Sequence, residues 1–500
     1  MQEKLNRLSH LLKEVDDLEA ASSILHWDQS TYMPAGGAVA RGRQLATLSR
    51  LAHEKITDDE VGQLLEALEP WAVEQPYDDD DASLVRVTRR IYDKAVMVPP
   101  AFTAEFHSHC SQAYDAWTRA RPEDDFAAVA PLLEKTVDLS RRLADYFPGY
   151  DHIADPLIDF SDYGMKAASV RTLFARLRQE LVPLVEAICA RPAADHTCLR
   201  QHFPKAGQRA FGQMLARAIG YDFERGRQDE THHPFMTRFA AGDVRITTRY
   251  KEEDLAEGLF STIHEAGHAL YELGVEPGFD GLPLGRGTSS GVHESQSRLW
   301  ENMVGRSRGF WSFFYPRLQE AFPAQLAEVD LDRFYRAINR VERSLIRTDA
   351  DEVTYNLHVM IRFDLELALL EGSLAVVDLP AAWNERYRQD LGVIPESDGD
   401  GVLQDVHWFA GVVGGAFQGY TLGNMLAAQL FEKACQERPD IPADIAAGRF
   451  DGLGQWLVEA VYRHGSKFTA PELIDRLVGR LSTDAIVRYL REKFGALYEI

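Results

Sequence analysis

Apolar residues recur every three to four positions through most of the 500-residue chain, the spacing that lines one face of an α-helix. "NRLSHLLKEVDDLEAASSIL" near the start carries this pattern with charge on its other face. "ERSLIRTDADEVTYNLHVMIRFDLELALLEG" sustains it for about 30 residues and reads as one long helix. Breaks fall where Pro, Gly or Asp cluster: "YMPAGGA" (32–38), "EQPYDDDDAS" (74–83), "VPPAF" (98–102) and "ERPDIPA" (437–443). The run Asp78–Asp81 lacks the glycine and distal glutamate of a calcium loop and reads as the start of a helix. One stretch alternates instead: "GDVRITTRY" (242–250) sets Val244, Ile246, Thr248 and Tyr250 on one face and Asp243, Arg245, Thr247 and Arg249 on the other. A strand at this place could offer its edge to an extended peptide. With no internal repeat and no long linker, the chain is expected to be mainly α, a single unit over residues 1–500 made of interlocked helical lobes.

Charge narrows the partners. A net charge of −23 argues against nucleic acid and anionic membranes, which select basic surfaces. No stretch approaches the roughly 18 uninterrupted apolar residues of a membrane span, and the start has no apolar core of a signal peptide. The four cysteines, Cys110, Cys189, Cys198 and Cys435, are scattered, which fits reduced thiols and a cytoplasmic location.

The chemistry centres on "STIHEAGHALYELG" (261–274). Positions i and i+4 of a helix share a face, so His264 and His268 can point imidazole nitrogens at one ion. Glu265 lies about 100° around the helix, within reach of a water beside that ion. Two neutral nitrogen ligands with a nearby carboxylate base are what a catalytic zinc site requires. Gly267 inside the motif costs a helix about 1 kcal/mol, tolerable where another chain segment must approach closely. The loop that follows, "GVEPGFDGLPLGRGTSSGV" (274–292), holds six glycines, and a loop of that kind is usually functional. Then "HESQSRLWEN" (293–302) resumes a helical pattern, with Glu294 in its first turn as the third ligand. His293 and Glu301 are the rival ligands; Glu301 could instead support a ligand from behind.

"HEAGH" followed by "HESQ" resembles the thermostable metallocarboxypeptidases of the carboxypeptidase Taq family. "LHWDQSTYMPAGGA" (25–38), "HPF" (233–235), "DVRIT" (243–247), "IRTDAD" (346–351) and "GVLQDVHW" (401–408) agree, in the family's order. The resemblance implies a two-lobed helical homodimer with a deep groove and a small β-sheet beside the HExxH helix. It implies zinc or cobalt held by His264, His268 and Glu294, with Glu265 as general base. It also implies release of C-terminal amino acids one at a time, with "HPF", "DVRIT" and "GVLQDVHW" closing the groove. One stretch departs from the family pattern: "GGAFQGYTLGN" (414–424) stands where an aromatic–proline pair leads into the tyrosine.

Peptide hydrolysis also needs a donor for the tetrahedral oxyanion, for which His407 and Tyr420 are the candidates. A free C-terminal carboxylate calls for an arginine, whose planar fork matches both oxygens. Arg347 and Arg245 are the candidates, Arg347 on a polar stripe with Asp351, Thr354 and His358 if the segment is one helix. The rival readings are an endo-acting oligopeptidase of similar build and a peptide binder without catalysis.

Overall fold

A computed structural model describes residues 1–500. The chain is mainly α, with a three-stranded sheet as its only sheet. Four helices open it, α1 (Gln2–Thr31), α2 (Ala38–Ile56), α3 (Asp59–Val73) and α4 (Asp80–Met97). Their inner faces, with Leu5, Leu8, Leu12, Leu65, Leu68 and Leu84, meet in a small core of their own. Most of the buried apolar residues from Ala113 onward contribute to a second, far larger core.

The glycine-rich loop joins the two. It folds into 3₁₀ turns at Pro277–Phe279 and Pro283–Gly285, and Val275, Phe279 and Leu284 bury themselves in the N-terminal core. The aspartate run serves the same junction. Asp79 accepts a hydrogen bond from the Ala82 amide at 2.9 Å and caps α4, while Asp80 pairs with Lys467 of the main body.

In the sheet β1 (Gln228–Glu230) runs parallel to β3 (Asp243–Thr248), and β2 (Met236–Ala240) runs antiparallel to it, in the order β1-β3-β2. The strand expected from "GDVRITTRY" is therefore the central one. Both of its edges are paired, so it has none to offer a peptide; that expectation is corrected. The sheet rests on the helix Leu255–Leu273, the HExxH helix, where Thr262 Oγ1 accepts from Gln228 Nε2 at 2.9 Å and lies 3.2 Å from Thr248 Oγ1.

The long helix expected over 342–372 is corrected too. Only Tyr355–Glu371 is α-helical, and Arg347–Asp349 forms a 3₁₀ turn. The reason is polar: Asp351 accepts from the amides of Glu342, Val353 and Thr354, drawing the backbone into a turn ahead of the helix. The Arg347 amide is likewise taken by Gln404 Oε1 at 3.0 Å. Arg347, Asp351, Thr354 and His358 thus form no stripe on one helix.

Candidate active site

The HExxH helix begins cleanly because Asp254 accepts from the Ala256 amide at 3.0 Å. It crosses a second helix, Ser290–Arg298, the Glu294 helix, at Gly267. A Cβ at Gly267 would lie 2.8 Å from Ser297 Cα and 2.9 Å from the Gln296 carbonyl oxygen. The glycine inside the motif is what lets the two helices approach so closely there. Glu294 falls in the second turn of its helix, not the first, because the helix starts at Ser290, before the apolar pattern resumes.

The crossing brings His264, His268 and Glu294 together, with one ligand atom from each lying within 4.8 Å of the others. Glu294 Oε2 stands 3.6 Å from His264 Nε2 and 3.4 Å from His268 Nε2. Its other oxygen, Oε1, accepts from Arg298 Nε at 2.7 Å, which fixes the carboxylate plane. Past Arg298 the helix widens into a π-helical segment, Leu299–Gly305, a rare form frequent at functional sites. That segment carries Glu301, whose Oε2 accepts from His264 Nδ1 at 2.9 Å, while Arg298 and Arg306 hold the carboxylate. On the other side His268 Nδ1 bonds His293 Nδ1 at 2.7 Å, and His293 Nε2 donates to Glu272 at 2.8 Å. With Nδ1 of each histidine engaged by these partners, it is Nε2 that each turns toward Glu294. This donor set fits a divalent metal such as zinc. The rival ligands Glu301 and His293 stand behind the cluster, one against each histidine.

Burial shapes the protonation states. It pushes the Glu265 carboxyl up to about 7, with the neighbouring carboxylates Glu294 and Glu301 adding to the effect. Burial likewise drives His268 down to about 4. For His264 burial is outweighed by Glu294 and by the bond to Glu301, and its pKa rises. Burial also opposes the charge on Glu294, but Arg298 and the two histidines prevail and hold it well below the usual carboxylate range.

Three of the other expected residues join this site through one aromatic ring. Arg298 stacks on Tyr355 at 4.3 Å, and the Tyr355 hydroxyl accepts from Arg347 Nη1 at 3.2 Å. Arg347 also donates to Asp405, and its guanidinium lies 5.3 Å from the Tyr420 ring. Tyr420 Oη and His407 Nε2 are 3.3 Å apart, and His407 Nδ1 faces Asp405 at 3.6 Å. Burial lowers His407 to about 4, so it is neutral at pH 7. Arg245 lies elsewhere. It pairs with Asp243 and stacks on Trp27 and Phe239, on the strand face turned from the HExxH helix. Arg249 at the end of the same strand pairs with Glu257 and, together with Arg347, lowers the pKa of His233 beyond what burial does. Tyr355, Asp405, Glu272 and Arg249 are not marked as site residues by the sequence, although each lies in a stretch singled out there for another reason.

Comparison with known proteins identifies the family. The model of the family described as carboxypeptidase Taq (M32) metallopeptidase matches residues 7–494. Thermostable carboxypeptidase 1 of Thermus thermophilus is 42% identical over 97% of each chain. Carboxypeptidase 1 of Bacillus subtilis is 37% identical over 98% of this chain and 97% of its own. The crystal structure of the M32 carboxypeptidase from Deinococcus radiodurans R1 superposes with a TM-score of 0.97 at 49% identity, covering both chains fully. The chain therefore belongs to the carboxypeptidase Taq (M32) family and is a metallocarboxypeptidase.

Proposed function

We propose that the protein releases C-terminal residues one at a time from peptides with a free C-terminus, using zinc, or cobalt in its place, held by His264, His268 and Glu294. The observation that carries this is the convergence of two imidazole Nε2 atoms and Glu294 Oε2 beside Glu265, whose carboxylate bonds to no other residue. Bound there, the metal supplies Lewis-acid polarisation of the scissile carbonyl and a more acidic water.

The side chains do the rest. Glu265 takes the proton of the attacking water on a carboxylate oxygen and delivers it to the leaving amine nitrogen. The Tyr420 hydroxyl, oriented by neutral His407, donates to the oxyanion. Arg347 uses three of its five N–H groups on Asp405 and Tyr355, which leaves two for the substrate carboxylate. Arg249 is a second cation for that carboxylate, and Arg245, turned away and paired, is better suited to packing α1 against the sheet. The family relation supports a homodimer, and "HPF", "DVRIT" and "GVLQDVHW" as the closed end of the groove.

The test is hydrolysis of an N-blocked peptide, free or amidated at its C-terminus, by chelated enzyme before and after zinc or cobalt. Metal-restored release of the last residue from the free acid alone is expected, and Glu265→Gln should bind zinc as the native chain does while turnover falls at least about a thousandfold. Internal cleavage of both peptides would replace this reading with an endo-oligopeptidase.

A further inference from the structure

Asp162 lies far from every motif in the sequence, yet it is among the most deeply buried carboxyls in the protein, with 1% exposure. It follows the short helix Asp155–Ser161 and divides its two oxygens between two other helices. Oδ1 accepts from the Gly291 amide at 2.7 Å, in the first turn of the Glu294 helix. Oδ2 accepts from Gln418 Nε2 at 3.0 Å, and Gln418 is the first residue of the helix Gln418–Glu437. That helix packs flat against the Glu294 helix. A Cβ at Gly419 would come within 3.1 Å of Ser290 Cβ, and one at Gly423 within 2.7 Å of both Glu294 Cβ and Cγ.

The start of the Glu294 helix needs such a hold. The helix has only nine residues and follows a long glycine-rich loop, so its first amides have no partner within it. Ser289, its N-cap, sits at φ 40°, a conformation an L-residue adopts only under constraint. Ser289 Oγ accepts from the Val292 amide at 3.1 Å, and Asp162 takes the amide of Gly291. Between them they fix the phase of a helix that has to deliver Glu294 Oε2 to a point set by two histidines on another helix.

We propose that Asp162 is a positioning residue for the metal centre: by pinning the first turn of the Glu294 helix to the helix behind it, its carboxylate sets where the Glu294 oxygen lies. The inference rests on Glu294 being a ligand. It does not require Asp162 to touch metal or substrate. Its consequence is specific, because an anchor for one ligand governs metal affinity, whereas an ordinary buried polar contact governs only stability.

The experiment measures zinc affinity by chelator competition on metal-free protein for the native chain, Asp162→Ala, Asp162→Asn and Glu294→Ala, with melting temperatures of the metal-free forms alongside. Asp162→Ala is expected to weaken zinc binding by at least about tenfold, the usual effect of losing a group that supports a ligand. Asp162→Asn, whose Oδ1 can still accept from Gly291, should stay within about threefold of the native chain. If Asp162→Ala yields no folded protein, Asp162→Ser, too short to reach Gly291, carries the same expectation. A lowered melting temperature with zinc affinity unchanged within about threefold would make Asp162 purely structural and overturn the proposal. Native zinc affinity in Glu294→Ala would instead overturn the ligand assignment beneath it, so the two failures are distinguishable.

Discussion

Glu366 shares with Glu265 a carboxyl pushed up to about 7 by burial, but it faces no site. It is fully buried; Oε1 accepts from Trp408 Nε1 at 2.9 Å and Oε2 has no partner. A folded-state pKa above the unfolded value means the native state holds an extra proton between pH 4.5 and about 7. Stability from this group is therefore full below pH 4.5 and is lost as pH rises through 7, by about 3 kcal/mol in all. Glu366→Gln mimics the protonated form, so its melting temperature should match the native one at pH 5 and exceed it by a few degrees at pH 8; a gap that does not widen with pH would refute the assignment. At this scale sequence legibility follows range. The spacing of His264 and His268 is local, and helix geometry alone sets both on one face. Glu301 stands open in the sequence as a rival ligand or a support from behind. Which histidine it backs, and the line from Glu272 through His293 to His268, depend on helices meeting across 21 to 37 residues, which no periodicity reveals.

Helix crossings decide what a single methyl does. Gly267 and Gly454 are both helical glycines, and replacing either with alanine gains about 1 kcal/mol of helix propensity. Around Gly454 nothing lies within 4 Å of the added Cβ, so Gly454→Ala should raise the melting temperature. At Gly267 the same methyl meets the backbone of the Glu294 helix at 2.8 Å, which overpacking values put at about 1–3 kcal/mol of loss. Gly267→Ala should therefore melt lower and bind zinc more weakly; stabilisation at both positions would show that the crossing is loose. A close approach at Gly267 could be anticipated from the cost of glycine in a helix, though not which segment makes it. The break before Tyr355 was hidden for a related reason. The pattern over 342–354 is helical, and what undoes it is a set of backbone-amide hydrogen bonds to Asp351 and Gln404 that apolar spacing does not encode. Strands β1 and β2, of three and five residues, are too short for alternation to stand out.

Two cores of unequal size make the whole molecule respond unevenly to its metal. The N-terminal helices close over a core of 15 buried residues, the remainder over one of 98, and small cores open first. All three proposed ligands lie in the larger part, on helices that cross at Gly267. Metal binding stabilises only the unit that must open for the site to come apart, by about 2.7 kcal/mol at a hundredfold excess over Kd. By hydrogen exchange, amides of the HExxH and Glu294 helices should then slow about a hundredfold on adding zinc, while those of α1 to α3 keep their metal-free rates. The contacts between the parts give the opposite outcome a definite meaning. Asp80 pairs with Lys467, Arg286 with Asp16 at 2.8 Å, and the loop 275–284 places Val275, Phe279 and Leu284 directly in the smaller core. Equal slowing of α1 to α3 would show that this loop, which leaves the HExxH helix at Gly274, couples both cores into one cooperative unit. The N-terminal helices would then be held shut by the metal.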